Sequence, residues 1–398
     1  MSHTLEKVIT PAQTREFLDL PKRLYLNNRN WVCPLDNDIE SVFDPAKNEK
    51  FNGGEAIRWI ARNAQGEVVG RIAAFYNRDQ AAIEEQPTGG VGFFEAINDQ
   101  SLANLLFDSA KEWLSSKGME AMDGPINFGD RDSWWGLLVN GFEFQPLYAN
   151  PYNPPYYQEL FENYGWQNYF NQHTYSRKIN SGALSEALYE KVKRLEESHN
   201  YKFRHITRSE LSQASEDFRR IYNSAWARFS GVKPMDEEHA RRLFDTLKPI
   251  VDPNLIYFAY FNDEPIGFFI NLPDLNRVIG PFNGKLNLFN KLRLMWALKR
   301  GKADRIFGLI FGIMPEHQGK GVESGLIRCM EREVEKGSIR QYKSLELAWI
   351  GDFNPVMMRM VESYVCASRH KMHTTYRYLF DRTKEFKRCP RLGIRKDN

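Results

Sequence analysis

Two eleven-residue stretches set 200 residues apart constrain this chain more than any other feature of its sequence. Across residues 155–165 and 355–365, Pro155/Pro355, Glu162/Glu362 and Tyr164/Tyr364 are identical, while Leu160/Met360 and Phe161/Val361 are both apolar. Three identities in eleven are weak alone. They gain weight from the order of patterns before each stretch. In the first half, residues 57–63 and 68–76 read as a hairpin across a polar turn, with β-branched and aromatic residues on both sides. An apolar run at 91–97 follows. A helix over 101–117 then places Leu102, Leu105, Leu106, Ala110, Trp113 and Leu114 at helical spacing and stops at Gly118. Residues 119–123 read as the next strand, ended by Gly124 and Pro125.

The second half repeats this order. Residues 255–261 and 265–271 form a hairpin across Asn262, Asp263 and Glu264, and 305–313 is an apolar strand. A helix through Leu326, Ile327, Met330 and Val334 stops at Gly337, and 344–350 is a further strand. The chain therefore reads as an α+β protein of two tandem copies of one module, residues 1–180 and 181–398. The join falls near Asn180 to Gly182, and residues 183–199 form a charged helix leading to a strand at 201–206. Such a duplication also fits a length of 398 residues, too long for one typical core.

Composition excludes several function classes. The 54 Lys and Arg against 51 Asp and Glu leave a net charge of +3, which predicts no strong whole-chain attraction to nucleic acid or acidic membranes. Apolar runs are strand-sized, short of the roughly 20 residues that span a bilayer. The first residues, from Met1 to Lys7, lack the apolar core of a signal peptide. Cys33, Cys329, Cys366 and Cys389 show no CxxC pair and no metal-ligand spacing, as expected of free thiols in a reducing cytoplasm.

Chemistry concentrates between Ile306 and Glu323. A buried strand runs into Pro315, and a loop holding Gln318, Gly319, Lys320 and Gly321 opens a helix. Such a loop turns successive backbone N–H groups toward one point, where the positive end of the helix dipole adds to them and suits a pyrophosphate. Glycine permits the close approach, and Lys320 adds charge.

At these residues the chain resembles the GNAT superfamily of acyl-CoA N-acyltransferases, whose signature is Arg/Gln-x-x-Gly-x-Gly/Ala. Here it runs from Gln318 through Gly321 and Val322 to Glu323. The likeness extends over about residues 200–380, and more weakly over residues 5–180. As a whole, the chain resembles bacterial two-module GNAT-like proteins, each module a mixed, mostly antiparallel sheet flanked by helices.

The resemblance implies an acetyl-CoA or other acyl-CoA co-substrate and a small-molecule or peptide amine acceptor, and the near-neutral charge argues against a nucleic-acid partner. It implies that Gln318, Gly319, Lys320, Gly321 and Val322 hold the cofactor pyrophosphate and that backbone near Ile313 pairs with the pantetheine arm. Asn354 matches an asparagine of the family that stands seven residues before a catalytic tyrosine. The tyrosine position here is Val361, and in the first copy Phe161. Glu323 stands where the signature has Gly or Ala, either facing the phosphates or capping the helix start. The first copy has no glycine loop. Asn98, Asp99, Gln100 and Ser101 stand there instead, with Asp99 and Ser101 suited to capping, as in a copy that binds no cofactor.

Acyl transfer needs a neutral amine and a proton for the departing thiolate. The candidates are Glu346 as base and Tyr364 as acid, each with a packing or surface role as its alternative. His317 is a further residue beside the loop. Residues 124–136, with Asp130, Arg131, Asp132, Trp134 and Trp135, form either a substrate wall or a loop covering the module interface. Pro151 to Tyr157 fits a rigid turn into a helix. Residues 285–302 carry six Lys or Arg among leucines, Phe289 and Trp296. Such a helix either lies on an anionic membrane or covers a core with its cations reaching solvent. The basic tail over 384–396 reads as a solvated end. Two other functions fit the pattern: an aminoacyl-tRNA-dependent transferase built of paired GNAT-like modules, or a non-catalytic acyl-CoA-binding or scaffold protein.

Overall fold

The computed structural model describes residues 3–129, 131–179, 184–226 and 234–391. The join at Asn180 to Gly182, Asp130 and the last part of the basic tail lie outside the described residues.

The first half contains β1 (Thr4–Lys7), α1 (Pro11–Leu24), α2 (Asp36–Val42), β2 (Gly54–Arg62), β3 (Val68–Asn77) and α3 (Arg78–Ala82). It continues with β4 (Thr88–Ala96), α4 (Gln100–Ser116), β5 (Ala121–Gly124), β6 (Leu137–Asn140), α5 (Tyr157–Tyr164) and β7 (Gln167–Lys178). After α6 (Glu186–Glu197), the second half has β8 (Tyr201–His205), α7 (Leu211–Trp226), α8 (Glu237–Leu247), β9 (Ile256–Phe261) and β10 (Glu264–Pro273). Next come α9 (Asn276–Ile279), α10 (Leu288–Lys299), β11 (Arg305–Ile313), α11 (Val322–Glu335), β12 (Ser344–Gly351), α12 (Pro355–Met360) and β13 (Ser368–Leu379). A single π-turn, Val361–Val365, joins α12 to β13.

Leaving aside α3, α6, β6, α9 and α10, both halves follow one order: strand, two helices, three strands, helix, strand, helix, strand. The β9–β10 hairpin turns through Asn262 and Asp263 at φ 49° and 66°. Asn and Asp tolerate the positive φ values that a tight hairpin turn requires. In each half one pair of neighbours is parallel, β4 with β5 and β11 with β12.

All the described strands join one sheet in the order β1-β2-β3-β4-β5-β13-β7-β12-β11-β10-β9-β8, with β6 also on β13. The two copies exchange their last strands. β7 pairs with β12 of the second copy, and β13 pairs with β5 of the first. The sheet is thus continuous through both copies rather than divided between them. The exchange is symmetric in detail: Tyr175 donates to Glu362 at 3.1 Å, and Tyr376 donates to Glu162 at 3.0 Å. The repeated glutamates each hold the strand that arrives from the other copy.

Separate apolar cores lie under the two copies. Phe94, Phe107, Phe161 and Trp166 anchor the first, and Tyr257, Phe269, Ile313 and Leu326 anchor the second. The middle of the sheet is polar yet buried. Thr375 donates to Gln172 at 3.1 Å and Thr374 to Asn171 at 2.9 Å, which satisfies side-chain oxygens that would otherwise be costly to bury.

Candidate active site

β11 and β12 are paired only from Arg305 with Ser344 to Gly308 with Leu347. Beyond these residues they diverge. β11 remains bonded to β10 on its other side as far as Ile313, and β12 shifts register against β7 between Leu347 and Ile350. The edge of β11 from Leu309 onward therefore turns backbone donors and acceptors into a cleft, where an extended amide-bearing ligand can pair with them.

At the end of β11 the signature loop begins. Gln318 donates its side-chain amide to the Ile313 carbonyl at 3.0 Å, fixing the loop to the strand that precedes it. Gly319 and Gly321 have φ of 73° and 92°, in the left-handed region where glycine carries no Cβ penalty. Gly321 is the N-cap of α11, and no side chain caps that end. The first N–H groups of a helix lack partners within it, so this end offers free donors together with the helix dipole. Lys320 is exposed beside it, and Val322 is buried beneath it.

The first copy shows the opposite arrangement. Asp99 accepts from the backbone N–H of Ser101 at 2.8 Å and of Leu102 at 3.2 Å, so a carboxylate of the protein occupies the anion position of α4. The splay is also closed. After β5, Ile126 donates its N–H to the Val91 carbonyl at 2.8 Å. A Cβ placed on Gly92 would lie 1.8 Å from the Ile126 carbonyl oxygen.

Glu323 lies in the first turn of α11, where the dipole favours a carboxylate. It stands 3.5 Å from the Lys191 ammonium of α6. Lys191 in turn donates to the Tyr364 hydroxyl at 2.7 Å and lies 4.1 Å from the centre of that ring. Burial pulls the Lys191 pKa down, but Tyr364 and Glu323 outweigh it and raise it. Tyr364 is thereby engaged at the rim of the loop, with a cation between it and Glu323. Its first-copy counterpart differs, since Tyr164 donates to Asp108 at 2.7 Å.

Glu346 is fully buried on the face of β12 opposite Leu345 and Leu347. It contacts the Lys371 ammonium, lies 3.2 Å from Arg305 and is 3.7 Å from His370. Burial raises its pKa, but Lys371, Arg305 and His370 more than offset this and hold it below the usual carboxylate value. The same cations pin a first-copy loop. Arg305 donates to the carbonyls of Gln145 and Pro146 at 3.0 and 2.7 Å and is paired with Asp274, and Lys371 donates to Gln145 at 3.2 Å.

Asn354 caps α12, accepting from the Met357 N–H at 3.2 Å. Val361, where the family has its tyrosine, lines the cleft with Met357 and Met360. Trp349, also on the cleft wall, donates to the Arg131 carbonyl at 2.8 Å, so Arg131 of the first copy reaches the second. Tyr157, from the segment starting at Pro151, donates to the buried Glu95 at 2.8 Å and anchors α5 on β4. His317 lies against Tyr201 and Phe261.

Sequence reasoning singled out neither Lys191, Lys371 nor His370. Each acquires its partners from an element distant along the chain. Burial pushes His370 and His373 down to about 4 from the ordinary 6.5. The unfolded imidazoles bind protons more readily than the folded ones, so stability falls as pH drops from about 6.5 toward 4. His373→Gln is expected to flatten that decline in urea unfolding measured over this range. Equal slopes in wild type and variant would show that His373 does not contribute.

Two mainly apolar cavities adjoin. One of about 170 Å³ lies in the splay, between residues 308–311 of β11 and 347–350 of β12. The other, about 360 Å³, lies under α6 and α11, walled by Leu184, Met330, Val334 and Leu345 and also by Arg177, Glu331 and Glu335. Phe269, Ile327 and Val365 line both.

No family model matches the chain. Protein YghO of Escherichia coli (strain K12) is 27% identical over 367 residues, covering 91% of this chain and 92% of that protein. The bacterial ceramide synthase of Caulobacter vibrioides is 28% identical over 378 residues, covering 93% and 95%. Among solved structures, a tandem GNAT protein from the clavulanic acid biosynthesis pathway superposes with a TM-score of 0.52 at 10% identity, over 96% of this chain and 100% of that one. A GCN5-related glucosamine N-acetyltransferase region of a fungal multi-domain GH3 β-N-acetylglucosaminidase gives 0.53 at 11% identity, over 95% of this chain; the match spans 38% of that longer chain. A likeness that runs through both copies gives this chain the tandem GNAT fold.

Proposed function

We propose that the chain is an N-acyltransferase that moves a long acyl group from acyl-CoA to the amine of a lipid-like small molecule. The observation that carries this reading is that the same β11 and α11 that bear the uncapped glycine helix start also border the splayed strand pair and the mainly apolar double cavity. The relative named a bacterial ceramide synthase supports the same choice, because a ceramide is the amide of a fatty acid and a long-chain amino alcohol.

In this reading the pyrophosphate lies against Gln318, Gly319, Lys320, Gly321 and Val322, and the pantetheine amides pair with β11 as far as Ile313. The thioester sits in the splay, and its alkyl chain passes the wall of Phe269, Ile327 and Val365 into the larger cavity. The amine nitrogen attacks the carbonyl carbon; the C–N bond forms, the C–S bond breaks and coenzyme A leaves as a thiolate. The nitrogen loses one proton and the thiolate gains one. Val361 supplies no acid, so water protonates the thiolate, whose ordinary pKa is about 8.5. Water also accepts the amine proton. Glu346 is closed off by Lys371 and Arg305 and acts as a positioning residue. Tyr364 holds Lys191 at the phosphate end, and Asn354 fixes the start of α12.

The test is thiol release from a series of acyl-CoAs with a long-chain amino alcohol as acceptor. Wild type is expected to prefer long chains; no release with any acyl-CoA would overturn the reading. Ile327→Trp fills the shared wall. It should lower kcat/KM for long acyl chains by about 100-fold and leave short chains within a few-fold. Equal losses at all lengths would remove the chain from that cavity.

A further inference from the structure

α10 presents two apolar faces. Leu294 and Ala297 are buried with Val32, Leu35, Ile279 and Phe282, fixing the helix to the body of the protein. The other face has no cover: Leu288 is 74% exposed, Phe289 72%, Leu292 63% and Trp296 56%. At about 100° per residue these four share an arc of roughly 100°, so they form one stripe.

The charge around the stripe is of a single sign. Lys285, Lys291, Arg293, Lys299, Arg300 and Lys302 are exposed, and no Asp or Glu occurs between residues 285 and 302. A chain whose net charge is only +3 thus gathers six cations around an apolar stripe of four exposed side chains. An apolar stripe flanked by cations complements the acyl boundary and the anionic headgroups of a bilayer. No described helix is long and apolar enough to cross a membrane, so contact through α10 is peripheral.

We infer that α10 docks the protein on an anionic membrane surface, with Leu288, Phe289, Leu292 and Trp296 entering the headgroup region and the surrounding cations meeting lipid phosphates. The placement suits a lipid substrate, although the docking stands without the proposed activity. α10 leads into the start of β11, whereas the glycine loop follows its far end. Nine residues of strand separate the two by on the order of 25–30 Å.

The experiment is flotation of the full chain with phosphatidylcholine vesicles, with and without phosphatidylglycerol, at low and high salt. Binding is expected only to vesicles containing phosphatidylglycerol, and it should weaken with salt. The triple variant Phe289→Ser, Leu292→Ser, Trp296→Ser changes only exposed side chains. It should bind at least about tenfold more weakly with an unchanged melting temperature. A second variant, Lys291→Glu with Arg293→Glu, tests the charge without touching the stripe and should fail likewise. Lack of binding to anionic vesicles, or undiminished binding by both variants, would overturn the inference. So would a dimer in light scattering that the triple variant dissolves, since a second copy would then be the occupant.

Discussion

Replacing Gly321 by valine is expected to weaken coenzyme A binding by at least about 100-fold, or roughly 2.7 kcal/mol. The residue holds φ 92° and ψ 5° at the N-cap of α11, a conformation strongly disfavoured for a β-branched side chain. A Cβ alone would sit 3.5 Å from Lys191 and Leu195, in ordinary contact. The branches beyond it have to press on α6 or turn the loop, and either change moves the N–H groups off their common point. Gly337→Val is the matched control. Its φ is 75° at the other end of α11, so it shares the backbone strain and should cost stability with no loss of affinity. Ligand-dependent shifts in melting temperature read both variants. Unchanged affinity in Gly321→Val would move the phosphate site elsewhere.

The second large effect concerns Glu346. Glu346→Gln leaves the ammonium of Lys371, itself 1% exposed, without its carboxylate. Removing one partner of a buried ion pair typically costs about 3–5 kcal/mol, and denaturant unfolding should show a loss of that size. Part of it should return when Lys371→Met is added, because no buried charge is then stranded. Arg305 retains Asp274 in either case. A loss below about 1 kcal/mol would mean that solvent reaches the pair and would restore Glu346 as a candidate base.

Much of the fold was legible in the sequence because it rests on local patterns. The two hairpins, the helix after the glycine loop and the duplication all follow from periodicity, turn residues and the repeat around Pro155 and Pro355. The central pair β7 and β13 was not legible. Residues such as Gln172, Thr174, Thr374 and Thr375 are polar, and only their cross-strand hydrogen bonds make burial affordable. The strand exchange was hidden for the same reason. Glu162 and Glu362 were visible as identities, but each finds its tyrosine on the other copy's strand.

At the site, Gln318 and Ile313 meet as neighbours, and Gly321 takes the backbone conformation that its position in the loop demands. The surroundings of Glu323 and Glu346 could not be read from spacing. Lys191 reaches Glu323 from a helix more than a hundred residues away, and Lys371 reaches Glu346 across β7. For α10 the sequence left two alternatives open, and both faces turn out to be used, one on the core and one in solvent.

The proposed function requires that the second copy hold an acyl-CoA and the first hold none, because Asp99 and Ile126 occupy the corresponding places. Calorimetric titration of the full chain with coenzyme A tests this most directly. One coenzyme A per chain is predicted, with the heat lost in Gly321→Val and retained in Asp99→Asn. Two per chain, or no heat at millimolar ligand, would contradict it.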